Sequence, residues 1–128
     1  MIIGGFMAQN DIIGAAMQAR VVRDRMHVHN IANNDTPGFK RFEVAFEESL
    51  RRAVNDYRRT GTLDLSRAQP EVRRTRTNMW NRVDGNNVDI NEENALLFIN
   101  SALYDALTSS IITNYRQLNS VFNNMRPT

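Results

Sequence analysis

Eleven residues from Asn30 to Lys40, reading N-I-A-N-N-D-T-P-G-F-K, force the first long helix of this chain to stop. Asn33, Asn34 and Asp35 favour turns, Pro37 has no amide hydrogen to donate, and Gly38 reaches positive φ without steric cost. Thr36 precedes the proline and is biased to extended angles, which makes the break a stiff corner rather than a loose link. Read alone, the stretch is a helix stop. Its weight comes from the two amphipathic segments that it separates.

On the near side, Asp11 is a candidate N-cap, and Ile13, Met17, Val21, Val28 and Ile31 recur at helical spacing with Gln18, Arg20, Arg23 and Arg25 largely on other faces. Gly4 and Gly5 each weaken a helix by roughly 1 kcal/mol, so the first ten residues are expected to fray. His27 and His29 stand two apart and diverge by about 200° on a helix, too far to share one metal ion as neighbouring turns do. On the far side, Phe42, Phe46, Leu50, Ala53, Val54 and Tyr57 suit one face of a second helix. Glu47 with Arg51 and Glu48 with Arg52 are acid-before-base pairs at i,i+4, each worth about 0.2–0.5 kcal/mol on an exposed helix.

From Arg58 to Asn87 the periodicity fails. Gly61, Pro70 and Gly85 interrupt the stretch, Leu63 and Leu65 alternate with polar residues, and the spacing predicts an extended arm with room for one short β-hairpin. Arg73, Arg74 and Arg76 lack interleaved aromatic rings for stacking bases, and no helix-turn-helix spacing presents them to a groove. Trp80, the only tryptophan, is a candidate interface anchor. Asp84 to Glu93, D-G-N-N-V-D-I-N-E-E, reads as a turn followed by a helix start, with Asp89 and Glu92 as an aspartate capping box. It fails as a calcium loop, because the sixth position from Asp84 is Asp89 rather than glycine. Beyond it Ile99, Leu103, Leu107, Ile111, Tyr115, Leu118, Phe122 and Met125 recur mostly three or four apart without Gly or Pro until Pro127. That is one helix of about 50 Å at 1.5 Å per residue. Ser101, Asn114 and Asn119 lie in or beside its apolar stripe, where polar groups set register between helices.

Composition narrows the functional classes. The chain has no cysteine, so neither disulfides nor thiolate metal sites are available, and a nearly balanced net charge of +2 argues weakly against a nucleic-acid partner. No apolar run approaches the roughly 18 residues of a membrane span, and the start does not read as a secretory signal. No nucleophile stands with a base, no phosphate loop occurs, and no cofactor is called for. The expected fold is mainly α: long N- and C-terminal helices pairing as a coiled coil, a short second helix, and an extended middle arm. The divisions are residues 1–34, 35–88 and 89–128. Two long helices around an arm with little core favour an assembly subunit, while the residues leave a closed antiparallel helical hairpin open, as they do a coiled-coil adaptor.

The corner sequence, with an amphipathic helix before it, resembles the N-terminal signature of the bacterial flagellar rod and hook family, usually close to N-I-A-N-A-x-T-P-G-Y-K. Phe39 stands where the family commonly has Tyr, and Asn34 where it commonly has Ala. The segment Asp84 to Glu93 and the helix after it resemble the corresponding region of a proximal rod subunit more than that of its neighbour in the rod. The resemblance spans most of the chain outside residues 58–80. It implies a non-enzymatic building block that is exported without cleavage by the flagellar type III apparatus, polymerises into the periplasmic rod, transmits torque and lines the export channel. Implied partners are copies of itself, other rod subunits, the adaptor protein FliE and the membrane ring at the rod base, with no nucleic acid and no direct membrane insertion. Implied assembly residues are the motif (Asn30, Ile31, Ala32, Asn33, Asp35, Thr36, Pro37, Gly38, Phe39 and Lys40) and a helix seam of Ile13, Met17, Val21, Val28, Ile99, Leu103, Leu107, Ile111, Leu118 and Phe122.

Overall fold

The computed structural model describes residues 2–75 and 82–126. The elements run α1 (Ile2–Ala32), β1 (Phe42–Ala45), α2 (Glu47–Thr60), β2 (Glu71–Arg74) and α3 (Ile90–Asn124). The chain is mainly helical, with long helices at both ends and one small two-stranded sheet. The long helices lie antiparallel: Phe6 packs edge-on against Tyr115 with ring centroids 6.3 Å apart, Asn114 donates to Asn10, Arg20 donates to Asn100, and His27 meets Glu93. Advance along α1 matches retreat along α3, so one register holds from end to end.

The expected frayed start is not observed. The first helix begins at Ile2 and passes through Gly4 and Gly5, leaving Asp11 inside it rather than at its cap. Packing supplies the reason, because Ala8 is buried and Phe6 meets Tyr115. Phe6 is half-buried against α3, and that partial burial, with Ala8, offsets part of the cost of the two glycines.

The second helix also starts later than its apolar spacing predicts. Phe42 lies in β1, which pairs antiparallel with β2 in the register Phe42↔Arg74 to Ala45↔Glu71. The Asn30 side chain donates to the Phe42 carbonyl and accepts from its amide, both at 2.8 Å, and so holds Phe42 extended. Phe46, 5% exposed, then takes the N-cap position of α2. The sheet is no tight hairpin, since α2 and a loop separate its strands. Gly61, at φ 75°, closes α2 by donating its amide to the Tyr57 carbonyl.

The i,i+4 ion pairs expected on α2 are replaced by others. Glu48 pairs with Arg51 one turn on, and Glu47 turns back to Arg23 and Arg20 of α1. Being in the first turn beside α1, Glu47 reaches guanidinium groups that Arg51 cannot displace. The hydrogen bond from Arg23 holds its carboxyl below the usual glutamate range. In β2, Arg73 pairs with Glu71 and Arg74 stacks over the Phe42 ring at 4.9 Å. Arg76 and Trp80 lie outside the described residues.

Asp89 caps α3, its Oδ1 accepting from the amides of Asn91 and Glu92 at 2.9 and 3.2 Å. This helix is long and apolar enough to cross a membrane, with a mean hydropathy of 1.4 over its most apolar window. This corrects the expectation that no apolar stretch approaches the length of a membrane span: scattered polar residues break the run along the sequence without lowering the average over a window of that length. Only Glu93 and Asn100 in α3 are buried, both polar, whereas Phe98, Ile99, Leu103, Ile112, Val121 and Phe122 are exposed.

Candidate functional site

The two sequence motifs meet and form one clasp. The Gly38 amide donates to the Asp84 carbonyl at 2.8 Å, the Asn87 amide to the Phe39 carbonyl at 3.2 Å, and the Arg41 amide to Asn87 Oδ1 at 2.7 Å. Lys40 Nζ donates to the Gly85 carbonyl at 2.6 Å. Gly38 and Gly85 both hold positive φ, and a Cβ on Gly85 would stand 3.6 Å from the Gly38 Cα. Glycine at both positions therefore lets the outgoing and returning chains turn sharply where they cross.

Asn86 sits at the centre of the clasp, fully buried. Its Nδ2 donates to the carbonyls of Asn33 at 2.9 Å, Asn34 at 3.0 Å and Thr36 at 2.8 Å, two hydrogens serving three acceptors. Its Oδ1 accepts from the Val88 amide at 2.8 Å. A helix end leaves carbonyls without intrahelical partners, and Asn86 supplies donors to those just past α1. Asn33 helps from within the motif, donating its side chain to the His29 carbonyl and accepting from Thr36 Oγ1. Phe39 packs with His29 and Phe42, ring centroids 5.7 and 6.0 Å away. Ile31 is half-buried, while Ala32, Asp35 and Pro37 are exposed.

Below the clasp, Glu93 joins three segments. Its carboxylate is fully buried and lies 2.5 Å from Arg41 Nε and 2.7 Å from His27 Nδ1. Burial pushes its pKa up, but hydrogen bonds from His27, Arg41 and Asn30 outweigh that and leave the carboxyl below the usual glutamate range. Two turns further, Asn100 donates to the Arg20 carbonyl and to Asp24 Oδ1, each at 2.8 Å. Asn114 donates to Asn10 at 2.9 Å, as its place beside the apolar stripe suggested, whereas Ser101 and Asn119 are exposed. Glu93, Asn100 and Asn114 fall on one heptad position of α3. Sequence reading missed the first two, although that spacing was a usable signal.

The seam residues named from sequence divide into two groups. Ile13, Met17, Leu107, Ile111 and Leu118 are half-buried, and Val21, Val28, Ile99, Leu103 and Phe122 are exposed. No group of three His, Asp or Glu side chains among the described residues could hold a metal ion. The site is a hydrogen-bonded joint, built to hold two long helices in register while the arm leaves and returns.

No protein-family model matches the chain. It is similar to the flagellar basal body rod protein FlgB of Borrelia hermsii, 32% identical over 115 residues, with 78% of this chain and 84% of that protein covered. That likeness runs along most of a chain whose two motifs close on each other, and on it this chain belongs to the FlgB family of flagellar basal body rod proteins.

Proposed function

We propose that the chain is a structural subunit of the proximal rod, polymerising through α1 and α3 into a tube that transmits torque and lines the export channel. The observation that carries this reading is the nakedness of α3, which runs 35 residues and leaves most of its apolar side chains in solvent. Exposed apolar surface on this scale marks a face that a partner covers. Cover by helices suits it better than cover by lipid, because Glu93, Asn100 and Asn114 already bind α1 across the seam. Other rod subunits, FliE and the membrane ring at the rod base are the partners on this reading, and the flagellar type III apparatus delivers the chain without cleavage.

The test is electron microscopy of basal bodies from a strain carrying an in-frame deletion of the gene, with a complemented control. Membrane rings without a rod, on cells without filaments, are expected. Normal flagella in the absence of a second gene copy would sink the reading. Complementation with Leu103→Asp separates assembly from folding. Leu103 is 41% exposed, so the substitution is expected to change subunit stability by roughly 1 kcal/mol or less while abolishing swarming. A variant that swarms normally removes this position from the interface.

A further inference from the structure

Polar and apolar levels alternate along the seam between the long helices. Phe6 meets Tyr115, Asn10 meets Asn114, Arg20 and Asp24 meet Asn100, and His27 meets Glu93. Half-buried Ile13, Met17, Leu107 and Ile111 occupy the stretch between the Asn10 and Arg20 levels. By spacing alone hydrocarbon would suit the polar levels too, since residues 93, 100, 107 and 114 share one heptad position and only 107 is leucine.

Asn100 is 3% exposed and commits its whole amide to α1: Nδ2 donates to the Arg20 carbonyl and to Asp24 Oδ1, and Oδ1 accepts from Arg20 Nη1 at 3.3 Å. Asn114 donates to Asn10, again on α1. Putting a second α3 in the place of α1 removes these partners. A parallel pair of α3 helices in register sets Glu93 against Glu93. A slip of one heptad sets Asn100 against Leu107 and Leu107 against Asn114, each amide left without a partner. Such mispairing is a hazard for this helix, which also leaves Phe98, Ile99, Leu103 and Ile112 exposed.

We propose that Asn100 and Asn114 determine partner choice: they restrict the inner face of α3 to α1 and leave its outer face to neighbouring copies. The role of the outer face rests on the rod-subunit reading; that of the inner face does not. Buried polar positions in helix pairs select register and partner while contributing less stability than hydrocarbon of similar volume. Leucine fits at both positions. Beside Asn100 an open cavity of about 180 Å³, lined in part by Asp24, Ser101 and Tyr104, gives room for the larger side chain and lets water reach Asp24. Asn10 is half-buried and keeps access to water when Asn114 is replaced.

The experiment compares the purified full chain with the double variant Asn100→Leu, Asn114→Leu, by urea unfolding at low concentration and by sedimentation over a range of concentrations. The double variant is expected to unfold at the same urea midpoint or a higher one, and to self-associate at least about tenfold more tightly than wild type. Asn114→Leu alone, at the less buried level, is expected to move both readouts the same way by less, and it decides the matter if the double variant is insoluble. Adding Phe98→Asp, about 160° around α3 from Asn100 and 77% exposed, leaves the new association in place. A purely structural role predicts the reverse, a lower midpoint without new association. That result, association no tighter than wild type, or association that Phe98→Asp abolishes would each overturn the proposal. The rod-subunit reading fails or stands separately, on the basal bodies of the deletion strain.

Discussion

Asn86→Asp is expected to destabilise the subunit by about 4 kcal/mol, the scale for leaving a charge buried and unpaired. The substitution changes one atom, yet it replaces a donor that serves three carbonyls with a carboxylate oxygen facing those same three oxygens. Water cannot relieve the repulsion, because the side chain is fully buried. Asn86→Ala removes the donors without adding charge and is expected to cost about 1–3 kcal/mol. A single domain has only about 5–15 kcal/mol of stability, so the aspartate variant should lose most of its helical circular dichroism on mild warming and should not swarm. Equal urea midpoints for the two variants would show that the three carbonyls are met in some other way.

Glu93→Ala is the second large effect, at about 3 kcal/mol. It takes away the carboxylate that binds Arg41 and His27 and leaves the guanidinium and the imidazole facing a void. The lower end of the range for broken buried pairs applies, since the Arg41 and His27 side chains keep 15% and 12% exposure. Glu93→Gln keeps one acceptor and is expected to cost about 1.5–3 kcal/mol. The carboxyl also dictates an acid response. Its folded pKa lies below its unfolded value of 4.5, so its contribution is present above pH 4.5 and is lost as the pH falls through the folded value. Wild type should therefore lose stability in that acid window, and Glu93→Gln should lose less there. Parallel stability curves for the two proteins below pH 4.5 would remove Glu93 as the titrating group.

Much of the molecule was legible before any coordinates. Turn and proline chemistry placed the end of the first helix at the corner, where it stops at Ala32. Asp89 was readable as a cap, and the long stripe from Ile99 announced a helix without interruption. These features are local, governed by residues within four positions of one another. Where the reading went astray, a distant partner had overridden a local preference. Phe42 had helical spacing but is drawn into a strand by Asn30 and β2, and Glu47 abandoned Arg51 for Arg23. Gly4 and Gly5 should have frayed the start, and packing against α3 retained it.

The amino-acid sequence by itself determined the two long helices, the stiff corner between them, the capped start of the last helix and the resemblance to the rod and hook family. Only the tertiary structure decided what the two motifs are for, because their complementarity is invisible along the chain. Asn86 lies 50 residues from the Thr36 carbonyl that it binds, and Glu93 lies 66 from His27. Pattern reading works through neighbours in sequence. A buried amide or carboxylate is held by whatever donors and acceptors the fold brings within 3 Å, and that set exists only once the helices have paired.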